Sequence, residues 1–450
     1  MWRPAPIDRG TSAGSLACAG AAWLLFAAAP AGAQELLREV ADLSDEADAV
    51  QESVGKRKRP EFEPLGLMLG DILGRAGRGE GPHLLGSFTL LPKLELGATT
   101  DDNVFRAERG KRSDLASSSA VEFDLKSDFA RHAFNLRGRG ELGRFVDLAS
   151  ENYEDFLVEA SPRIDISAFE QLRLRGSYAL EHQSRGDVGQ DFATAESIPV
   201  RRARAEADWR FQRGAFSSRA RYRFADTDYR DAGGVDNDFL DSELHRINLR
   251  GGYEAQQGVT LWLEPGLLWQ RFPNAALGGL ARDSEGWQVL AGFTYDLSAV
   301  TFVELGAGYV TRRFDDPGLD EIGDIAAEAR AVWNVRPLVT LEALLARNVR
   351  AVQVGGASAA IDTGFEAAAF WDPRENLILE LRGGLHHLDY ATLPGAERSE
   401  DEAFVRLVGR YLLNPNLHLR LKYEYSTLAS DIAGESYDAN VFTLTAILQL

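Results

Sequence analysis

Arginine recurs at every second position in several parts of this chain: Arg137 and Arg139, Arg173 and Arg175, Arg202, Arg204 and Arg210, then Arg219, Arg221 and Arg223. In an extended strand, residues two apart share a face. Each set therefore presents guanidinium groups on one surface, with Arg163, Arg246 and Arg250 at matching positions. A guanidinium is permanently charged and meets carboxylate or phosphate through a planar fork, so the chemistry on offer is anion recognition. Farther along, Glu264, Asp296, Glu304, Glu328, Glu342, Asp362 and Glu366 occupy the equivalent positions, with Arg312 and Arg330 among them. Charge sorted by sector produces a transverse field across any cavity it lines. The plainer alternative is a ladder of cross-strand Arg–carboxylate pairs that braces a wall. Around Arg202–Arg223 only Glu206 and Asp208 are near in sequence to neutralise the cations, and like charges opposite each other destabilise a strand pair. That cluster points to a path for anionic solute.

Other candidates are weaker. Asp226, Asp228, Asp231, Asp236 and Asp238 crowd one connection, and flexible oxygen ligands suit Ca²⁺ or Mg²⁺. No spaced calcium-loop motif is present, so a solvated loop is the simpler reading and no metal is assigned. His386, His387 and His418 are the groups an enzyme would use, yet no Ser/His/Asp set accompanies them, so no catalytic residue and no cofactor is expected. The formal net charge of −19 makes nucleic acid an improbable partner.

These charges need elements that hold them at period two. From Leu417 to Ser426, Leu417, Leu419, Leu421, Tyr423 and Tyr425 alternate with His418, Arg420, Lys422, Glu424 and Ser426, giving one apolar and one wet face. The pattern returns through eighteen candidate strands between residues 84 and 450. Tight links such as 212–214, 255–258, 372–376 and 414–416 alternate with longer ones such as 183–197, 226–240, 272–285, 390–401 and 427–437. A soluble sandwich has no reason to sort loop lengths so, whereas an outer-membrane barrel does. Trp209, Trp333 and Trp371 fall on the apolar parity before short turns, and Trp269 and Trp287 on it beside a long loop, as two aromatic girdles would; Trp262 has lumen parity. The fold predicted is all-β: a transmembrane, antiparallel, up-and-down barrel of about eighteen strands.

The amino terminus differs. Arg3 and Arg9, an apolar run from Leu16 to Ala29 and Ala31-Gly32-Ala33 predict a signal peptide over residues 1–33, which also holds the lone cysteine, Cys18. Residues 34–83 carry Leu36, Leu37, Val40, Leu43, Ala47 and Val50 at helical spacing, predicting a short amphipathic helix in a periplasmic segment, followed by the basic run 56–59. The barrel is expected over 84–450 in the outer membrane of a Gram-negative bacterium, with both chain ends periplasmic. Its expected partners are membrane lipid and lipopolysaccharide, together with the assembly machinery that reads the last strand, here ending on Leu450 and not an aromatic residue.

Several short motifs resemble one family. They are Arg59-Pro60-Glu61-Phe62-Glu63-Pro64-Leu65-Gly66, the Leu-Leu-Pro at 90–92, Asp101-Asp102-Asn103-Val104-Phe105, the run from Tyr309 to Pro317, and Tyr411 to Asn416. In this order they are similar to the "putative beta-barrel porin 2" family over roughly residues 59–450. The resemblance implies an outer-membrane barrel, often met alongside exopolysaccharide secretion systems, with no established catalytic residues to carry over. Passage or docking of polar, anionic solute is the function expected, polysaccharide or its export components being possible partners. A plugged structural or docking barrel is the alternative, and an outer-membrane enzyme a more remote one.

Overall fold

The computed structural model describes residues 83–450 apart from 187–195, 275–280, 297–299, 337, 353–356, 393–396 and 450. The predicted signal peptide and, but for residue 83, the predicted amphipathic segment lie outside the described residues. The strands are β1 (His83–Leu85), β2 (Phe88–Asp101), β3 (Asp114–Ser127), β4 (Ala133–Phe145), β5 (Tyr153–Asp165), β6 (Glu170–His182), β7 (Pro199–Arg213), β8 (Phe216–Tyr229), β9 (Ser242–Gln256), β10 (Val259–Arg271), β11 (Ser284–Asp296), β12 (Thr301–Phe314), β13 (Ile322–Arg336), β14 (Val339–Ala351), β15 (Ala357–Arg374), β16 (Leu377–Thr392), β17 (Ser399–Asn414), β18 (Leu417–Ser430) and β19 (Tyr437–Gln449).

Each strand from β2 to β19 pairs antiparallel with its sequence neighbours, and β19 closes on β2 from Val441↔Asp101 to Gln449↔Lys93. The result is an eighteen-stranded closed barrel, with β1 folded back on the start of β2 where β19 ends. Closure is what licenses a membrane environment, because each barrel strand is paired on both sides through most of its length and no whole edge strand is left for lipid to face. The eighteen barrel strands, β2 to β19, run 13 to 18 residues, longer than the roughly 9–11 a tilted strand needs to cross a bilayer. Among the described residues no helix is long and apolar enough to cross.

The period-two pattern sorts the faces. Leu96, Val121, Leu261, Ile325 and Leu444 are exposed on the outside, while Glu95, Glu122, Asp208, Arg221 and Glu264 are buried on the inside. This is a soluble protein's distribution turned inside out, and it is stable only against an apolar solvent. The connections on one rim are two to five residues long and those on the other five to sixteen. Gly214 and Gly258 take positive φ in two-residue links, the left-handed conformation such hairpins demand. Pro162 and Pro265 have no backbone N–H to give, and the β5–β6 and β9–β10 ladders are interrupted at those residues.

One part of the wall departs from the pattern. The β13–β14 ladder stops at Ala327↔Arg347, leaving 322–326 paired to β12 alone and 348–351 to β15 alone. Beyond the split, Val349, Ala359 and Ile361 sit on the parity that lower down faces outward. They pack instead with Val310, Ile322 and Ala326 of the inner face of β12 and β13. Consecutive Ala359 and Ala360 are both fully buried, which a lipid-facing wall would not allow. The upper ends of β14–β16 thus lean into the barrel mouth, with Arg347 holding Asp324 across the split at 2.6 Å. The long connections fold together beside them: Arg185 pairs with buried Glu151 at 2.8 Å, and Tyr437 of β19, which packs with Ala360, Leu388 and Tyr390, donates to the Gly186 carbonyl.

Candidate functional site in the lumen

The basic wall is built by register. Across β6–β9 the inward positions align as Arg173↔Asp208, Arg175↔Glu206, Asp208↔Arg221, Glu206↔Arg223, Arg210↔Arg219, Arg219↔Arg250 and Arg223↔Arg246, so arginines face arginines at several rungs. Asp208 is the clamp. Buried between Arg210 and Arg219, it accepts a hydrogen bond from each at 2.7 Å. Glu206 and Asp208 are not alone as counter-charges, as the sequence had suggested: Glu181 of β6 accepts from Arg202 at 2.9 Å, a partner supplied by strand pairing and not by proximity along the chain. On β2–β4, buried Glu122 is shared by Lys93, Arg137 and Arg139 at 2.8, 3.0 and 3.1 Å, and Arg139 also reaches Glu141. Part of the majority charge stays wet: the side chains of Arg137 and Arg175 are 48% and 39% exposed, while Arg219 and Arg221 are largely buried. Arg204 lies between Ser177 and Ala225 in the pairing register.

On the acidic wall the proportions invert. Arg250 of β9 is held by Glu264, Glu304 and Glu328 at 2.5, 2.8 and 3.3 Å. Its guanidinium lies 4.0 Å over the Trp262 ring, where ring quadrupole and cation attract. The indole in turn rests on Gly292 and Gly306, where a Cβ would come within 2.4 Å of it. A lumen-facing tryptophan was legible in the sequence, but its role as a shelf for Arg250 was not. Glu342 faces inward across from Val332 and Ala368. Asp362 and Glu366 flank His386, whose Nδ1 is 3.1 Å from Asp362.

The remaining candidates are dispersed. Trp287, Trp333 and Trp371 are exposed on the outer face, Trp209 and Trp269 half-buried there, and Trp262 is buried inside. Asp226 and Asp228 are not on a loop, because β8 runs on to Tyr229; Asp228 pairs with Arg201 at 2.5 Å. Asp231, Asp236 and Asp238 do gather, with carboxylate oxygens within 4.8 Å of one another, all exposed. His387 meets Asp401 and Asp389 at 2.7 and 3.2 Å, and His418 is buried near the short-turn rim, so the three histidines do not converge.

Comparison with known proteins places this geometry. The family model described as "Putative beta-barrel porin 2" matches residues 82–450. The chain belongs to that family. It is therefore a porin-like β-barrel of the bacterial outer membrane. Solved structures give distant likenesses. The outer membrane protein OpdK of Pseudomonas aeruginosa is 13% identical over 80% of this chain and 99% of its own, with a TM-score of 0.44. OccK3 (OpdO) of the same organism is 16% identical over 80% and 96%, TM-score 0.42. The siderophore receptor PirA, also from that organism, is 9% identical over 80% of each chain, TM-score 0.41. No curated protein matches the chain.

Proposed function

We propose that the barrel passes or holds anionic polar solute along its basic wall, an acidic polysaccharide on its way out of the cell being the solute class that suits both the charge and the family resemblance. The observation that carries this is the surplus of lumen-facing guanidinium over carboxylate on β4–β9, with Arg137 and Arg175 open to water where a passing anion can reach them. Long loops outward and both chain ends periplasmic complete the reading, since an even strand count returns the chain to its starting rim. Lipopolysaccharide at the outer rim, the barrel assembly machinery and polysaccharide export components are the partners it implies. The test is conductance in planar bilayers. Wild-type channels are expected to favour anions, and Arg137→Gln, Arg175→Gln and Arg204→Gln together to move the selectivity toward cations by severalfold with the heat-modifiable barrel intact. Unchanged selectivity would reduce the arginines to wall bracing.

A second reading has its own support. The in-leaning ends of β14–β16 and the packed connections around Glu151 and Gly186 meet through Tyr437 and narrow the mouth. A barrel so narrowed suits docking of a partner, and a wild-type protein that folds but never conducts would select this reading.

A further inference from the structure

A second cluster in the lumen, apart from the basic wall, has unused chemistry. Glu366, His386 and Glu402 sit on the inner face of three adjacent strands, β15, β16 and β17, with His386 directly opposite Gly364 on one side and Glu402 on the other. The imidazole lies flat against Gly364, where a Cβ would come within 2.4 Å of Cε1. Its Nδ1 is engaged by Asp362 Oδ1 at 3.1 Å, and the other Asp362 oxygen is 3.3 Å from Arg350. With Nδ1 engaged by a carboxylate, Nε2 is the nitrogen left for a metal that displaces its proton, the arrangement that stands behind metal-bound imidazoles.

Around the imidazole stand buried groups without hydrogen bonds. His386 Nε2 and both carboxylate oxygens of Glu366 and of Glu402 are buried and make none. Glu402 is 1% exposed and His386 4%. Glu366 Oε1 stands 3.5 Å from Nε2 and Oε2 3.8 Å from Arg382, both too long for good hydrogen bonds. Burying carboxylates without donors is costly, and one doubly charged ion offsets two of them at once. Imidazole nitrogen with carboxylate oxygen is a donor set for zinc and its first-row neighbours, whereas calcium and magnesium prefer oxygen alone.

We propose that Glu366, His386 and Glu402 form a binding site for a zinc-class divalent ion, with Asp362 orienting the imidazole from behind. His386 Nε2 and Glu366 Oε1 stand 3.5 Å apart, while the three donors do not all lie within 4.8 Å of one another, so Glu402 must swing its carboxylate about its three rotatable bonds to complete the site. Bound there, the ion joins three consecutive strands at the root of the in-leaning segment and fixes the narrowed side of the mouth. The exposed Asp231, Asp236 and Asp238 group has its oxygens in water and no such unsatisfied set, so it serves as the internal control.

The experiment is a ZnCl₂ titration of the folded, chelator-treated full-length barrel in detergent, followed by calorimetry, with X-ray absorption at the zinc edge on the loaded protein. One ion per barrel with imidazole and carboxylate in the absorption spectrum is expected. His386→Gln and Glu402→Gln should each weaken binding by about tenfold or more. The combined Asp231→Asn, Asp236→Asn, Asp238→Asn variant should leave it unchanged. Should His386→Gln fail to fold, Glu402→Gln decides alone. Absence of stoichiometric binding to the wild type, binding that survives Glu402→Gln, or loss of binding in the aspartate variant would each overturn the proposal.

Discussion

The two halves of the lumen solve one problem with opposite stoichiometry. On the basic wall one buried carboxylate serves several cations, as Asp208 does for Arg210 and Arg219 and Glu122 for Lys93, Arg137 and Arg139. On the acidic wall one guanidinium serves several carboxylates, as Arg250 does for Glu264, Glu304 and Glu328. In both, the minority charge is clamped inside the network and the majority charge is the surplus. The walls differ in how each can relieve that surplus. A carboxylate left without a partner can take up a proton, whereas a guanidinium cannot shed one. On the function proposed above, the basic wall is the half that draws counter-charge from solute or partner as well as from its own carboxylates.

The sharpest way to break this comparison is to remove both clamps while keeping apolar volume. Asp208→Leu strands Arg210 and Arg219 opposite each other and should cost about 3–5 kcal/mol of unfolding free energy, the usual scale for a buried charge deprived of its partner. Arg250→Met should cost less, about 2–3 kcal/mol, because its three carboxylates can neutralise themselves and the methionine stem still covers Trp262. Urea unfolding in detergent micelles measures both. If Arg250→Met proves the more damaging, the asymmetry between the walls is wrong.

The shelf beneath Arg250 gives an intermediate effect. Gly292→Ala puts a methyl within 2.4 Å of the Trp262 ring and against the Leu305 carbonyl, so the indole must shift; the expected loss is about 1–3 kcal/mol by the cost of overpacking. Gly140→Ala on β4 meets nothing within 4 Å and should be neutral in the same assay. The smallest effect belongs to a pair outside both walls. Arg144 and Glu154 lie 2.5 Å apart but largely exposed, and Arg144→Gln should change stability by about 0–1 kcal/mol, as exposed ion pairs do.

Much of this architecture is local in origin and so was legible in the chain. Period-two alternation decides which side chains share a face, and glycine, proline and asparagine decide where the chain turns. The eighteen strands, the sorted rims and the inward parity of Arg137, Arg204, Glu304 and Glu366 follow from spacing alone. Strand ends were less legible, because a strand continues as long as its neighbours offer hydrogen bonds; β8 therefore extends through Asp226 and Asp228, which composition alone marks as loop.

Which charges meet was decided only by the closed sheet. Pairing register sets Glu181 diagonally across from Arg202 and His386 directly against Glu402, and barrel closure brings Arg420 to within 3.0 Å of Glu95. The stacking of Arg250 on Trp262 depends on glycines of β11 and β12, and the parting of β13 from β14 on how three strand ends pack across the mouth. None of these contacts leaves a trace in spacing, because each arises between strands whose relative shift is a property of the whole ladder. The sequence by itself determined a barrel with a charged lumen and an apolar exterior; the tertiary structure decided which of the lumen charges meet, because that depends on register and closure.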